Sequence, residues 1–354
     1  MPINLLKMPD VVGVGVVTEL DYQGIFLLSV CSRRSNCLVK KARITVPKLK
    51  FCFEKCDAYD SFVIGVKIDM MKWYYITSVK HVPKLDLEGV ANANTVLDNE
   101  ASSNIEFGFQ TNERFRYRIE RDSEPMEVQK EYQDYINSIF HYSGNYELCL
   151  SMECEGPLPN ITNVKEIEIV HETVDNQFLT NALTKYPDTE SLYVGSRIVG
   201  ELPEDSPLLQ VQNIYACRCG PDYFQVNLIQ NFVGRNLYLE SVTVTEQDLI
   251  QFIQKWISNE AYHNLEALVI FVDNPSSINA DVIRQAIEFE EYDRNEPEKR
   301  PEYFLFDAPF INRGEVEHYS LRDKDYVEIN RTTDGKRAFL CCDPGHLEFF
   351  VPKI

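Results

Sequence analysis

The sequence predicts an α/β fold, with a helical segment at the N-terminus, a parallel β/α domain, and antiparallel β-strands at the C-terminus. Three patterns support this prediction: apolar residues at helical spacing near the N-terminus, strand-like segments that alternate with helical or loop segments, and turn signals between strands near the C-terminus. The chain has 354 residues, of which 44% are hydrophobic. This length predicts one to three domains with a sizeable core.

The N-terminal segment predicts two short helices. Pro9 suits the start of the first helix, where the amide that proline lacks is not needed. The apolar side chains at the spacing of one face of this helix are Val12, Val16, Val17 and Leu20. Asp21 predicts the N-cap of the second helix. The apolar face of the second helix comprises Tyr22, Ile25, Phe26 and Val30. A segment this short cannot close a core alone, so we expect its apolar stripe to contact a partner.

Residues 46–145 predict a β-rich connecting region. Aromatic and β-branched residues predict strands at 44–46, 51–53, 62–68 and 73–79. Residues 84–126 are more polar and predict a long loop with one strand near 114–119. Apolar periodicity predicts a helix over 127–142.

Between residues 146 and 275, short apolar segments recur and predict a repeat-like domain. The predicted strands are centred on 148–150, 167–169, 192–194, 214–216, 237–239 and 268–270. Their spacing scatters around the period of leucine-rich repeats, roughly 20–29 residues. Strands separated by helices at this distance predict parallel neighbours with right-handed crossovers. The sequence thus predicts an irregular leucine-rich-repeat-like domain, with an ordinary open α/β sheet as the alternative.

The C-terminal part, 300–354, predicts an antiparallel β tail. Thr333–Lys336 predicts a hairpin turn between strands at 326–330 and 337–341, and 347–351 predicts a third strand. The preceding residues, 288–302, are rich in acidic side chains and predict a solvated connection.

The N-terminal residues carry a recognisable order. The pair Met8–Pro9, an apolar helix and the run from Phe26 to Arg34 (FLLSVCSRR) follow one another. This order resembles an F-box, the helical module that docks the Skp-type adaptor of a cullin-RING ubiquitin ligase, and the run is similar to the version found in nematode F-box proteins. The resemblance implies an F-box over 1–45. Its implied adaptor contacts are Leu6, Met8, Pro9, Val12, Val16, Val17, Leu20 and Phe26.

The sequence also departs from the F-box pattern. Met8 stands where leucine is usual, and Gly13, Gly15 and Gly24 each cost a helix interior about 1 kcal/mol relative to alanine. One alternative is an ordinary pair of amphipathic helices that packs on its own protein. Another is an interaction module whose degenerate F-box no longer binds the ligase.

Later segments resemble the F-box-associated domain of the same nematode proteins. The segments that carry this resemblance are 236–239, 244–249, 252–257, 264–268, 326–329, 334–335 and 347–350. The resemblance implies a domain over 146–354 that captures a target protein, which the sequence does not specify, so that other ligase subunits transfer ubiquitin to it.

The charge distribution limits the possible partners. The net charge of −20, from 35 basic and 55 acidic residues, argues against nucleic acid, which needs a basic surface. Residues 1–50 are nevertheless net basic, which suits Skp-type adaptors because they are acidic as a family. No apolar run reaches the roughly 18 residues that span a membrane, and no signal peptide is recognisable. We therefore expect a cytoplasmic or nuclear protein with reduced cysteines.

Residues with catalytic or metal-binding chemistry are scattered. The cysteine pairs that lack a second Cys or His pair at ligand spacing are Cys52/Cys56, Cys217/Cys219 and Cys341/Cys342. A thiol hydrolase built on Cys149 and His171 would need a setting that promotes a thiolate. The segment Gly13–Gly15 lacks the later glycine of a phosphate-binding loop. We therefore expect no enzymatic activity, no bound metal and no cofactor.

Three tyrosines occupy the same position in consecutive predicted strands. Tyr193, Tyr215 and Tyr238 each lie between two apolar residues, so strand alternation points them to the face opposite those residues. In register they would form a ladder, with Glu168 before it and Val269 after it. Tyrosine is enriched at interaction hot spots, so the ladder is a candidate target-binding surface. The alternative is an internal packing layer covered by other segments.

Overall fold

The computed structural model is a mixed α/β structure with an N-terminal helical stretch. It describes residues 5–56, 59–68, 72–82, 105–109, 115–120, 125–142, 144–151, 158–217, 222–274, 278–308, 310, 317–323 and 325–353. The chain divides into two compact units, Met1–Lys165 (unit 1) and Glu166–Ile354 (unit 2). The division into 1–45, 46–145 and 146–354 stays a prediction. Within the described residues, no helix is both long enough and apolar enough to cross a membrane.

Unit 1 begins with three consecutive helices. They are α1 (Asp10–Thr18), α2 (Tyr22–Cys31) and α3 (Arg33–Ala42). The two predicted helices are confirmed, and Asp21 caps α2 as predicted, because its carboxylate accepts a hydrogen bond of 2.6 Å from the Gly24 amide. Ser32 caps α3 in the same way by accepting from the Ser35 amide. Pro9 lies at the N-cap of α1, one residue before the helix.

The rest of unit 1 is a sheet with one long helix. Its elements are β1 (Ile44–Thr45), β2 (Leu49–Cys56), β3 (Tyr59–Lys67), β4 (Trp73–Val82), β5 (Ile105–Phe109), β6 (Phe115–Glu120), α4 (Pro125–Ile139), β7 (Phe140–His141) and β8 (Tyr146–Leu150). The strand order is β8-β2-β3-β4-β6-β5, with β2 parallel to β8 and antiparallel to β3. A separate parallel pair joins β1 to β7.

Most of the predicted elements of unit 1 are confirmed, with two corrections. Strand β5 lies where the sequence predicted a loop. Other parts of that predicted loop, 84–104, 110–114 and 121–124, lie outside the described residues. The predicted helix over 127–142 ends at Ile139, because Phe140–His141 pairs with β1 instead.

Unit 2 is built on a sheet whose parallel strands follow chain order. The strands of unit 2 are β9 (Val164–Ile169), whose first two residues belong to unit 1, β10 (Thr173–Asp175), β11 (Ser191–Val194), β12 (Arg197–Val199), β13 (Asn213–Cys217), β14 (Asn236–Val242), β15 (Ala267–Val272), β16 (Tyr303–Phe306), β17 (Glu317–Ser320), β18 (Tyr326–Asn330), β19 (Arg337–Asp343) and β20 (His346–Phe350). Two pairs, β10 with β12 and β16 with β17, lie outside this sheet. Strands β9-β11-β13-β14-β15 are parallel neighbours in that order, as predicted. The predicted antiparallel tail adds β20, β19 and β18 beyond β15.

Helices cover one face of this sheet. They are α5 (Asn176–Lys185), α6 (Asp222–Asn231), α7 (Glu246–Ile257) and α8 (Ala280–Gln285). A capping box fixes the start of α7, because Thr245 and Asp248 each accept a hydrogen bond from the other's backbone amide. Trp256 at the end of α7 is fully buried against Phe349, with ring centroids 5.2 Å apart. The core of unit 2 therefore lies between these helices and the apolar face of the sheet.

The predicted solvated connection over 288–302 is wrong at Arg300. This side chain is buried, and its guanidinium lies over the Phe339 ring and donates hydrogen bonds to the carbonyl oxygens of Leu321 and Tyr326. The long apolar stem and the five donors of arginine allow it to fill such a site, provided that carbonyl groups receive those donors.

Candidate functional surfaces

The outward side of α1 is apolar, which reverses the usual pattern of a surface helix. Val11 is 84% exposed, and Val12, Val16 and Leu20, which follows the end of α1, are also exposed. These four residues define the α1 stripe. Val11 replaces Val17 in the predicted stripe, because Val17 is fully buried.

The orientation of α1 follows from one close helix–helix contact. Gly13 is buried, and a side chain at this position would approach the Leu38 side chain to 2.9 Å. The glycine thus lets α1 approach α3 closely, with Gly13 and Val17 turned inward. Because this contact fixes the rotation of α1, the valines on the opposite side face outward.

The second helix, in contrast, packs on its own unit. Phe26 is buried and meets the ring of Tyr135 on α4 edge to face, with centroids 6.0 Å apart. The Tyr135 hydroxyl donates to Ser29 of α2 and accepts from Asn36 of α3. Phe26 therefore anchors the helices to unit 1 and does not belong to an exposed contact surface. The alternative of a helix pair that packs on its own protein describes α2, and it describes α1 only on the side of Gly13 and Val17.

The remaining predicted adaptor contacts lie before α1. Leu6 and Met8 are half-buried and Pro9 is exposed. The Pro9 carbonyl oxygen accepts from the amides of Val12 and Gly13 and so starts the helix. Leu6, Met8 and Pro9 therefore remain partly accessible, next to the α1 stripe in sequence.

The neighbouring helix α3 carries exposed basic side chains. Helix α3 exposes Arg33, Arg34, Lys40 and Lys41. Lys41 forms an ion pair of 2.6 Å with Asp10, the first residue of α1, which links the basic helix to the one that carries the stripe. The module thus combines an exposed aliphatic stripe on one helix with exposed basic side chains on another.

The predicted tyrosine ladder is present in unit 2. Tyr193 pairs with Tyr215, and Tyr215 with Tyr238, in the register of β11, β13 and β14. The Tyr193 and Tyr215 rings stack with centroids 4.5 Å apart and an interplanar angle of 3°, and the next pair lies 5.1 Å apart. The predicted neighbours are also confirmed, since Glu168 pairs with Tyr193 and Val269 with Tyr238.

The ladder is longer than the sequence predicted. The Tyr238 ring contacts Phe271, two residues after Val269 on the same face, at 5.7 Å. Phe271 stacks in turn on the His346 imidazole at 5.7 Å. We call this set the aromatic row: Tyr193, Tyr215, Tyr238, Phe271 and His346. Strand alternation places Phe271 on the same face as Val269, so the sequence pattern could have predicted that Phe271 extends the ladder.

The residues of the aromatic row differ in accessibility. Tyr215 is only 2% exposed between its two neighbours, whereas Tyr193 and Tyr238 are half-buried and Phe271 is 37% exposed. The row lies opposite the face on which Trp256 packs, because Phe349 and Glu348 alternate on β20 and Glu348 pairs with Val269. Tyr215 therefore supports the surface, which the outer rings form.

A hydrogen-bonded row of polar side chains runs beside the aromatic row. Asn236 donates to the side-chain oxygen of Asn213 over 2.8 Å, and Asn213 donates to the Ser191 hydroxyl over 3.0 Å. Buried polar groups need such partners. These bonds fix the register of β11, β13 and β14 and thereby the alignment of the tyrosines.

Most of the cysteine pairs considered in the sequence gain no support as sites. Cys219 and the side chains of Cys56 and His81 lie outside the described residues. Cys149 and His171 belong to different units. The His171 ring nitrogen Nδ1 lies 3.1 Å from the carbonyl oxygen of Thr173.

One group of potential metal ligands was missed by the sequence reasoning. The ligand atoms of Cys341, Asp343 and His346 all lie within 4.8 Å of one another. Burial raises the pKa of the Cys341 thiol to about 12, and that of Cys342 to about 11. Cysteine spacing gives no signal for this group, because its members come from two strands of a hairpin.

Comparison with known proteins provides no assignment. No protein-family model, no curated protein and no solved structure matches this chain.

Proposed function

We propose that this chain is a substrate-recognition adaptor of an SCF-type cullin-RING ubiquitin ligase. In this proposal, the N-terminal module is an F-box that docks a Skp-type adaptor and, through it, a cullin. The second unit binds a target protein. Catalysis is left to other subunits, and the chain acts by raising the effective concentration of the target near the ubiquitin carrier.

The observation that carries the proposal is the α1 stripe. Burying exposed aliphatic side chains in an interface is favourable, by about 25 cal/mol for each Å² of apolar surface removed from water. A contiguous apolar patch with a polar surrounding is typical of a protein–protein contact. The basic side chains of α3 suit an acidic partner such as a Skp-type adaptor.

The target-binding part of the proposal rests on the aromatic row. Stacked tyrosines are already ordered, so binding costs little side-chain entropy. The outer rings of Tyr193, Tyr238 and Phe271 offer contact area, and Tyr215 holds them in place. We assign this surface to the target and not to the ligase because it lies in unit 2, outside the F-box.

Two finer assignments belong to the same proposal. The irregular leucine-rich-repeat-like character of 146–275 is supported by parallel strands that follow chain order. A cytoplasmic or nuclear location agrees with the free thiols of the seven described cysteines.

The test is co-purification with a purified Skp-type adaptor. Pro9→Glu together with Leu20→Asp places charges on the exposed surface of the module and is expected to abolish capture, because both carboxylates would be desolvated in the complex. A control is Val233→Asp, which places one such carboxylate on an exposed valine of unit 2. Circular dichroism checks that both variants fold. Unchanged capture by the Pro9/Leu20 variant would remove the ligase assignment.

The alternative is a protein-interaction module whose F-box no longer binds the ligase. The burial of Val17 and Phe26 favours it, because two of the eight implied adaptor contacts are unavailable in this conformation. Absence of a complex between the wild-type chain and the adaptor at micromolar concentrations would select this alternative.

A further inference from the structure

Four side chains with metal-binding chemistry share one face of the β19–β20 hairpin. Cys341 and Asp343 alternate along β19, and His346 and Glu348 alternate along β20. The antiparallel register pairs Cys341 with Glu348 and Asp343 with His346. Because directly paired residues point to the same side of a sheet, the four form a two-by-two block.

The distances within this block leave room for an ion. His346 Nε2 lies 3.6 Å from Asp343 Oδ2 and 3.8 Å from Glu348 Oε1. Both distances are too long for hydrogen bonds. In a tetrahedral zinc site, bond lengths of 2.0–2.3 Å place neighbouring ligand atoms about 3.3–3.6 Å apart. The ligand atoms of Cys341, Asp343 and His346 lie within 4.8 Å of one another, so side-chain shifts of about 1 Å are enough to bring them to this spacing.

We propose that this block binds one Zn²⁺ ion. Its ligands are Cys341 Sγ, the Asp343 carboxylate and His346 Nε2, with Glu348 Oε1 in the fourth position. Mixed sulfur, nitrogen and oxygen donors suit zinc, whereas Ca²⁺ and Mg²⁺ prefer oxygen ligands alone. On binding, the Cys341 S–H bond breaks, an S–Zn bond forms, and the proton goes to solvent.

Neighbouring side chains orient two of these ligands. The Tyr326 hydroxyl donates a hydrogen bond to Glu348 Oε2, which directs the other oxygen, Oε1, toward His346. The His346 ring stacks on Phe271 with an interplanar angle of 18°. Such outer contacts fix the orientation of metal ligands and influence their affinity. The ion would therefore lie at the end of the aromatic row and hold its last ring in place.

The chain contains a matched control for the thiol. Cys342 follows Cys341 on the same strand and is equally buried, but it pairs with Leu347 and faces the opposite side of the sheet. Cys342→Ser therefore makes the same chemical change outside the block.

The experiment uses the full-length reduced protein. Zn²⁺ affinity is measured by competition with a chromophoric chelator, and Co²⁺ is used to detect thiolate-to-metal charge-transfer absorption. We expect the wild type and Cys342→Ser to bind one equivalent tightly. Removing a residue that only orients a metal ligand typically costs about 10–100-fold in metal affinity. We therefore expect the loss of a direct ligand, in Cys341→Ser or His346→Gln, to weaken binding by at least about 100-fold. Cys341→Ser should also remove the charge-transfer band, because that band needs the thiolate.

Either of two results would overturn the site. One is a wild-type chain without the thiolate–cobalt band. The other is a Cys342→Ser variant that loses as much affinity as Cys341→Ser. If Cys341→Ser fails to fold by circular dichroism, His346→Gln decides, because His346 is only half-buried. Unchanged affinity in that variant would also reject zinc. The result is independent of the ligase proposal, since no step involves the F-box.

Discussion

The α1 stripe and the aromatic row both expose apolar side chains, but they differ in what those side chains do for the fold. Val11 projects from its helix with 84% of its surface exposed, while Gly13 and Val17 make the inward contacts. In the aromatic row, each ring contacts its neighbour, and Tyr215 is almost fully buried.

This difference decides what a substitution can show. Changes in the α1 stripe are expected to alter binding with little effect on stability, because exposed positions away from special features usually shift it by less than about 0.5 kcal/mol. Changes in the aromatic row are expected to alter both binding and stability. A loss of binding is therefore easier to interpret for α1 than for the row.

The largest expected effect concerns a third feature, a buried ion cluster that joins neighbouring strands of unit 1. The Glu147 carboxylate is buried with Lys67 at 2.5 Å and Lys50 at 2.9 Å. We expect Glu147→Gln to destabilise unit 1 by about 3–5 kcal/mol, because it leaves buried ammonium charges uncompensated. Urea denaturation followed by hydrogen exchange of unit 1 peptides measures this loss. Asp10→Asn, which breaks the exposed pair with Lys41, is the control and should change little.

The same carboxylate predicts a pH dependence. Burial raises the pKa of Glu147, but the charges and hydrogen bonds of Lys50 and Lys67 outweigh burial and hold the pKa below the ordinary value of 4.5. A carboxyl group with a lowered folded-state pKa stabilises the fold above its unfolded-state pKa, and this contribution is lost as the pH falls through the folded-state value. Wild-type unit 1 should therefore lose more stability below pH 4.5 than Glu147→Gln does. Parallel pH profiles for the two proteins would contradict this role.

The next effect tests the gradient of burial within the aromatic row. We expect Tyr215→Ala to destabilise unit 2 by about 3 kcal/mol, because it removes a buried ring and two stacking contacts. Tyr193→Ala removes a half-buried ring with one tyrosine neighbour and should cost about 1 kcal/mol. Urea denaturation monitored by hydrogen exchange of unit 2 peptides separates the two. Equal losses would contradict the gradient of burial within the row.

Local sequence patterns predicted the strands of unit 2 and the alignment of Tyr193, Tyr215 and Tyr238. Each tyrosine lies at the same place in its strand, and short crossovers keep parallel neighbours in register. The N-cap at Asp21 was predictable for the same reason, because capping depends on a few adjacent residues.

Features set by contacts distant in sequence were not predictable. Valines lie on several sides of α1, so periodicity alone could not show that the approach of Gly13 to Leu38 turns Val17 inward and Val11 outward. Arg300 lies in an acidic segment, and only the fold brings the carbonyl oxygens of Leu321 and Tyr326 to its guanidinium. The grouping of Cys341 with His346 likewise depends on the hairpin register.

The smallest expected effect concerns the helix that carries the α1 stripe, where two glycines in one short helix have different surroundings. A side chain at Gly15 would meet nothing within 4 Å, whereas one at Gly13 would approach Leu38 to 2.9 Å. We expect Gly15→Ala to stabilise unit 1 by about 0.5–1 kcal/mol, because alanine loses less backbone entropy on helix formation. Gly13→Ala should offer no such gain, since the added methyl group crowds the α1–α3 contact. Urea denaturation read by hydrogen exchange of α1 peptides compares both variants. A gain in both would mean that α1 does not need the close contact at Gly13, and the structural reason for the outward direction of its valines would then fail.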